Sequence, residues 1–188
     1  MQSYRLPKER GMISIRRTLT WPKRRWRAGG FGIHSPFAFS FVTEALASKG
    51  TIDSEAGLRD IAGDDYHRLA LLYRCVAYLK PKSVAISPAG DEKLIRTVRL
   101  AHPEAMITGA DTPTPPDMTV VWRPEAASES DNGATVYFIS RIDKEPAKGL
   151  WKRLNDNCAH GMDFTDRRTG IICRFSHLPR QSFKIVFK

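Results

Sequence analysis

The sequence predicts an α/β fold with a mainly parallel sheet and an antiparallel hairpin at its C-terminal end. The first indication is residues 81–111, where a short apolar run, a tight turn, an amphipathic stretch and a second apolar run follow one another. A parallel βαβ unit requires this order. Two further strands and a helix come next, and three short apolar segments with brief links end the chain. Brief links favour antiparallel pairing, because parallel neighbours need a crossover of about a dozen residues or more.

The chain of 188 residues has the length of one domain, and we divide it into a basic extension at residues 1–30 and an α/β domain at residues 31–188. Apolar residues make up 41% and charged residues 27%, which is typical of a soluble globular protein. No apolar run has the ~18 residues of a membrane-spanning helix and no apolar segment follows the N-terminal charges, so we expect a cytoplasmic protein. Cys75, Cys158 and Cys173 are odd in number and far apart, which indicates reduced thiols.

The first 30 residues carry most of the net charge of +10, with nine basic residues and one acidic residue, Glu9. Trp21 and Trp26 stand among these basic residues, which run from Arg5 to Arg27. Such an arm could hold nucleic-acid phosphates, with the tryptophans stacking on bases, or lie on an anionic membrane surface. It could equally be a solvated, partly helical extension whose tryptophans dock on the domain. Charge alone supplies only non-specific affinity, so these alternatives stay open.

Two helices are predicted before the first strand. Ser35-Pro36 is a favourable helix start, because Ser caps free amides and Pro suits the first helical position, and this helix runs to Gly50. After a polar stretch at residues 51–63, a second helix begins at Asp64 or Asp65 and stops at Lys80-Pro81, since proline disfavours a helical residue before it. The predicted apolar faces are Phe37, Phe41, Val42, Ala45 and Leu46 in the first helix, and Leu69, Leu72, Tyr73, Val76 and Leu79 in the second.

Strands and helices then alternate along the chain. The predicted elements are a strand at 83–87, a turn at 88–91, a helix at 92–101, strands at 105–110, 118–122 and 134–140, a helix at 145–159, and strands at 162–165, 170–175 and 182–187. The links at 112–117 and 123–133 are too short for comfortable crossover helices. We therefore expect a thin layer over one face of the sheet, or a partner that covers it, and such a face is compatible with a homodimer.

Several segments resemble a group of bacterial class I S-adenosylmethionine (SAM)-dependent methyltransferases, whose members open with a G-I-H-S-P-F-V-like element. The matching segments are Gly30–Phe41 (GFGIHSPFAFSF), Leu72-Tyr73-Arg74, Lys80-Pro81-Lys82 and Thr169–Phe187. The resemblance covers most of residues 25–188, and the opening element is its most specific part. It implies a shortened Rossmann-like methyltransferase fold, with a mainly parallel sheet and an antiparallel terminal pair.

The same resemblance implies where SAM would bind. The family ends its first strand with an acid, continues with a glycine-rich turn in the form E-L-G-T-S-x-G, and ends the second strand with an acid for the ribose hydroxyls. Glycines let the backbone approach the cofactor. Here the turn is ISPAGDE, so Ile86 replaces the first acid, and Pro88 and Glu92 replace two glycines. The candidate cofactor-binding residues are Ser87, Ala89, Gly90 and Asp91 in this turn, and Asp111 at the position of the ribose acid.

Other family positions also differ. A family acid that follows a strand written F-I-D-G falls on Ser140, and a later D-D-x-H strand has no counterpart. The opening element contains His34, and the resemblance suggests that this residue lies near the cofactor or substrate mouth. Alternatively, His34 and Ser35 fasten the element to the domain by hydrogen bonds. The sequence assigns no catalytic residue, and the remaining histidines lack metal-ligand spacing, so no metal is expected.

These observations support three hypotheses. The first is a methyltransferase-like pseudoenzyme, with lost or reduced SAM binding and catalysis, that acts as a binding or scaffold protein. The second is an active methyltransferase on an unknown acceptor, which holds SAM through Asp111 and a remodelled Gly90 turn. The third is a nucleic-acid or anionic-surface binder that uses the arm from Arg5 to Arg27. SAM is the cofactor that the resemblance implies, and the changed turn argues against its usual binding mode.

Overall fold

The computed structural model describes residues 29–30, 32–48, 56–109, 113–129 and 131–187. The strands are β1 (Ser83–Ser87), β2 (Met106–Thr108), β3 (Met118–Val121), β4 (Val136–Ser140), β5 (Met162–Thr165), β6 (Thr169–Cys173) and β7 (Gln181–Lys184). The α-helices are α1 (Pro36–Ser40), α2 (Ala56–Ala62), α3 (Tyr66–Leu79), α4 (Glu92–Ala101) and α5 (Ala147–Asp156). Helix α1 continues as a π-helical segment, Phe41–Leu46, and Gly63–Asp65 and Pro124–Glu129 are 3₁₀ helices.

The seven strands form one mixed sheet in the order β2-β1-β3-β4-β6-β5-β7. The first four are parallel, which confirms the predicted βαβ unit and its continuation. Strand β6 is antiparallel to both β4 and β5, so β5 and β6 form the expected C-terminal hairpin. The last strand differs from the expectation of a closing antiparallel hairpin, because β7 pairs with β5 in parallel. Both edges of β6 are already paired, and the outer edge of β5 is the one that β7 can join.

The sheet is buried on both faces over its central strands. Every residue of β3 and β4 is buried, as expected for parallel strands covered on two sides. On one face, Ile86, Val120 and Phe138 pack with the segment 36–46 and with helices α3 and α4. On the other face, Tyr137 and Ile139 pack with Ala127 of the 3₁₀ helix and with helix α5.

The helical segment at the start of the domain matches the predicted apolar face. Phe41 is fully buried and its ring lies 5.2 Å from those of Tyr78 and Phe164. The Ser35 hydroxyl accepts from the Ala38 amide (3.3 Å), as a helix cap should. The helical geometry ends at Leu46, and the predicted end at Gly50 lies outside the described residues. The stretch predicted to be merely polar contains helix α2, because Leu58 and Ile61 are buried.

The face of the sheet that contains Tyr137 and Ile139 has a thin cover, as the short links predict. The link between β3 and β4 holds one six-residue 3₁₀ helix, and the described part of the link before β3, residues 113–117, is irregular. A cavity of about 190 Å³ remains between the Pro113–Pro116 segment and the strands β1 and β2. Met106 at the edge of the sheet is 63% exposed. Loop and 3₁₀ backbone therefore replace crossover helices on this face.

A nearly buried ion pair fastens the C-terminal strands together. The Asp163 side chain on β5 is 7% exposed and accepts from Arg180 Nη1 (2.6 Å) and from the Ser182 hydroxyl (2.5 Å). Arg180 Nη2 also donates to Asn155 Oδ1 (2.8 Å) on helix α5. Arg180 thus joins β5 to the α5 helix just before β7 begins.

Replacing Arg180 should therefore destabilise the fold. Arg180→Met leaves a carboxylate that is almost buried without its cation, which we expect to cost about 2–4 kcal/mol of unfolding free energy. Arg99→Met is the matched control, because Arg99 is exposed on helix α4, and it should cost less than about 0.5 kcal/mol. Urea denaturation of both variants measures the difference. Equal losses in the two variants would show that the ion pair contributes nothing specific.

Candidate functional site

The carboxyl ends of β1, β3 and β4 meet at one edge of the sheet, called the carboxyl edge below. The three strands are parallel, with Ser87 opposite Val121 and Val121 opposite Ile139. Strand β6 starts at the same edge, because Thr169 lies opposite Ser140. Ligands of open α/β sheets bind outside the carboxyl ends of the strands. A ligand site is therefore expected at this edge.

Hydrogen bonds join the turn after β1 to the segment that follows β3 and to the first turn of helix α4. The hydroxyl of Ser87, which is nearly buried, donates to the Ala126 carbonyl oxygen (3.1 Å), and the Ser87 carbonyl oxygen accepts from the Trp122 amide (2.9 Å). Gly90 has a φ of +79°, a conformation that favours glycine. The Asp91 carboxylate caps helix α4 by accepting from the Lys93 amide (3.1 Å) and the Leu94 amide (3.3 Å). Turn residues that the resemblance assigns to a cofactor thus also hold the β1–α4 connection in shape.

Arg68, in the first turn of helix α3, lies across the ends of β3 and β4. Its Nη1 donates to Ser140 Oγ (2.8 Å), its Nη2 pairs with the Asp65 carboxylate, and its guanidinium carbon lies 4.4 Å from the centroid of the Trp122 ring. The Trp122 ring is nearly buried and stacks on Phe138. An ion pair, a hydrogen bond and a cation–π contact therefore hold the guanidinium in one place. Ser140 is fully buried beneath it.

Two cavities flank Arg68 and together form one cleft, called the carboxyl-edge cleft. The first is about 560 Å³ and is lined by Asp65, Arg68, Asp91, Glu92, Lys93, Trp122, Arg123, Pro124 and Arg141. The second is about 500 Å³ and is lined by Asp65, His67, Arg68, Arg141, Asp143, Asp166, Arg168 and Thr169. Each is large enough for a small organic ligand. Arg141 stands between them, directly after β4, with a φ of +59° and its Nε 3.5 Å from Asp143 Oδ1.

The candidate cofactor residues are only partly brought together. Asp91 lines the larger cavity, Ser87 faces the 3₁₀ helix, and Ala89 and Gly90 are exposed on the turn. Gly109, at the end of β2, lies beside Ala89, so the two strand ends that the resemblance pairs are adjacent. Asp111 itself lies outside the described residues. Cofactor binding by this set stays a prediction.

His34 lies away from the carboxyl edge. It precedes helix α1, whose Phe37 packs edge-on against Phe175 at 5.4 Å, and Phe175 follows β6 at the opposite edge of the sheet. The His34 side chain is exposed and makes no hydrogen bond or ion pair within the described part of the chain. The Ser35 side chain makes the capping bond already described, which lies within its own helix. In the described residues, therefore, neither His34 nor Ser35 makes the side-chain hydrogen bond to the rest of the domain that the alternative interpretation expects.

The three cysteines are buried as free thiols. Burial raises the pKa of the Cys75 thiol to about 12 and raises that of Cys173 well above its usual value. Both therefore stay protonated at neutral pH, which disfavours a role as nucleophile.

Across the described ranges, no group of three or more His, Cys, Asp or Glu side chains is arranged to hold a metal ion. No described helix combines the length and apolar character needed to span a membrane.

Of the residues that shape the cleft, Asp91 was a predicted site residue, whereas Arg68, Trp122, Arg123 and Arg141 were not singled out from the sequence. Trp122 ends one predicted strand, and Arg123 and Arg141 directly follow predicted strands, so the rule that sites form at carboxyl ends of strands could have identified them. No sequence signal identifies Arg68, because its place beside Ser140 depends on how helix α3 packs on the sheet.

No protein-family model matches the chain, and comparisons with curated proteins and with solved structures found no similar protein. The description of the cleft therefore rests on its own residues.

Removing the Arg68 side chain should loosen the carboxyl edge. Arg68→Met leaves the buried Ser140 hydroxyl without its donor and Asp65 without its ion pair, so we expect a loss of about 1–3 kcal/mol in unfolding free energy. Arg96→Met, at an exposed position of helix α4, is the control. Urea denaturation compares the two variants, and a loss no larger than that of the control would mean that Arg68 does not fasten the strand ends.

Proposed function

We propose that the protein is a methyltransferase-like binding or scaffold protein whose SAM binding and catalysis are lost or reduced. The likeness of its opening element, Gly30–Phe41, and of the segments Leu72-Tyr73-Arg74, Lys80-Pro81-Lys82 and Thr169–Phe187 to the methyltransferase group is the basis of this proposal. A mixed sheet of four parallel strands followed by an antiparallel pair is compatible with a Rossmann-like fold. The proposed loss of cofactor binding is argued from the carboxyl edge.

The observation that carries the proposal is the burial of Ser140 beneath Arg68. The family places an acid at this position, and here a serine hydroxyl accepts from Arg68 Nη1 instead. At the end of β1, where the family has another acid, Ile86 is fully buried among apolar side chains. Two positions that would present carboxylates to a cofactor thus present none.

The charge of the larger cavity also opposes SAM. Free SAM carries a sulfonium, an ammonium and a carboxylate group at neutral pH, so its net charge is positive. The cavity wall contains four cationic side chains, Arg68, Lys93, Arg123 and Arg141. Of its three acids, Asp65 is paired with Arg68, Asp91 is bonded to two backbone amides, and Glu92 alone has a carboxylate without a partner in the described structure. Like charges that share a cavity repel one another more strongly than they would in bulk water.

Methyl transfer requires the acceptor to be held in line with the sulfonium carbon of SAM. Without bound SAM, the cleft has no methyl group to transfer. A binding role is what the remaining cleft supports. The active-methyltransferase hypothesis stays a prediction that depends on Asp111. The hypothesis of a nucleic-acid or anionic-surface binder stays a prediction that depends on the basic arm, and both lie outside the described residues.

Calorimetric titration of the full chain with SAM tests the proposal. We expect no saturable binding, which corresponds to a Kd weaker than about 1 mM. The parallel titration of Asp111→Asn separates the hypotheses. Stoichiometric binding that disappears in the Asp111→Asn variant would contradict the proposal and support an active cofactor site.

A further inference from the structure

Five Lys or Arg side chains and five Asp or Glu side chains line the carboxyl-edge cleft, but most of the acids are already bonded within the protein. Asp65 and Asp143 are paired with arginines. Asp91 accepts from two backbone amides, and Asp166 accepts from the amides of Arg168 (2.8 Å) and Thr169 (2.7 Å). Of the five acids, only Glu92 has a carboxylate without a hydrogen bond or ion pair in the described structure.

Three cations of the same cleft are free. The side chains of Lys93 and Arg123 in the first cavity, and of Arg168 in the second, are exposed and make no hydrogen bond or ion pair to any described residue. Free donors thus outnumber free acceptors, and they stand on both sides of Arg68 and Arg141.

We propose that the carboxyl-edge cleft binds a small organic phosphate that carries two anionic groups, one in each cavity. This rests on the proposed function, because a bound SAM molecule would occupy the same cleft. One anionic group contacts Arg123 and Lys93, the other contacts Arg168, and the bridge between the two groups, which in pyrophosphate is a single oxygen, passes beside Arg141. Arginine favours phosphate in such a role, since its planar fork of donors matches two phosphate oxygens at once.

Two further arginines, Arg68 and Arg141, line the cleft beside the free cations, and the fold sets their positions. Arg68 is already held by Asp65, Ser140 and Trp122. Arg141 is placed by a left-handed backbone conformation that is uncommon for a residue with a side chain, and such strained positions recur at ligand sites. A ligand that meets groups already in place loses less free energy to ordering them.

The cleft fits a small ligand better than a nucleic acid. Single-stranded nucleic acids are held by aromatic faces on which successive bases stack. The aromatic ring that lines the larger cavity, Trp122, is nearly buried, lies beneath the Arg68 guanidinium and stacks on Phe138. The described lining of the larger cavity therefore offers charge recognition without a free aromatic stacking surface.

Calorimetric titration of the full chain with inorganic pyrophosphate tests the inference. We expect saturable binding that weakens about tenfold in Arg123→Gln and about tenfold in Arg168→Gln, since each change removes a charge-assisted hydrogen bond. Arg99→Gln is the control, because it removes the same charge from an exposed position outside both cavities, and it should leave the Kd within about twofold. Circular dichroism checks that all variants fold.

The outcomes distinguish pyrophosphate binding in the cleft from pyrophosphate binding by the basic arm. The arm is the same in every variant, so binding by the arm would leave all Kd values alike, and that result would overturn the inference. Absence of pyrophosphate binding, or weakening in one cleft variant alone, would overturn it as well, because two anionic positions are proposed. If pyrophosphate fails and SAM also does not bind, the proposed function stands while the ligand class is wrong.

Discussion

The carboxyl edge of the sheet depends on one contact, the placement of the Arg68 guanidinium between Ser140, Asp65 and Trp122. It joins helix α3 to the ends of β3 and β4, lies over the buried Ser140, and covers the face of Trp122. It also divides the cleft into two cavities that share Arg68 and Arg141. The proposed loss of SAM binding is argued in part from this contact, because Ser140 lies beneath it, and the proposed phosphate site extends to both sides of it.

Short links shape one face of the sheet. The two links around β3 contain a 3₁₀ helix and an irregular described segment in place of crossover helices. The core beneath is nevertheless complete, with β3 and β4 buried at every position. A rigid sheet that presents a cationic cleft at its edge is a suitable scaffold for ligand binding, because packed strands fix the positions of the residues that follow them.

The sequence predicted the parallel unit and helix α4 because turn residues and apolar periodicity mark them locally. Helix α4 begins and ends where it was expected, with Leu94 and Val98 buried. Helix α2 was missed, since its short apolar pattern lies in a polar stretch, and the pairing of β7 with β5 could not be predicted from a local pattern. The same holds for the site. Asp91 was identified from its motif position, whereas Arg68 reaches the cleft only through the packing of helix α3 on the sheet.

The most direct test of the account follows side-chain NMR signals of the full chain labelled with ¹⁵N at tryptophan and arginine. The signals of the Trp122 indole N–H and of the Arg68 guanidinium are assigned by substitution and recorded during additions of pyrophosphate and, separately, of SAM. We expect pyrophosphate to shift both signals in a saturable manner and SAM to leave them unchanged. Saturable shifts with SAM, together with none from pyrophosphate, would overturn both proposals.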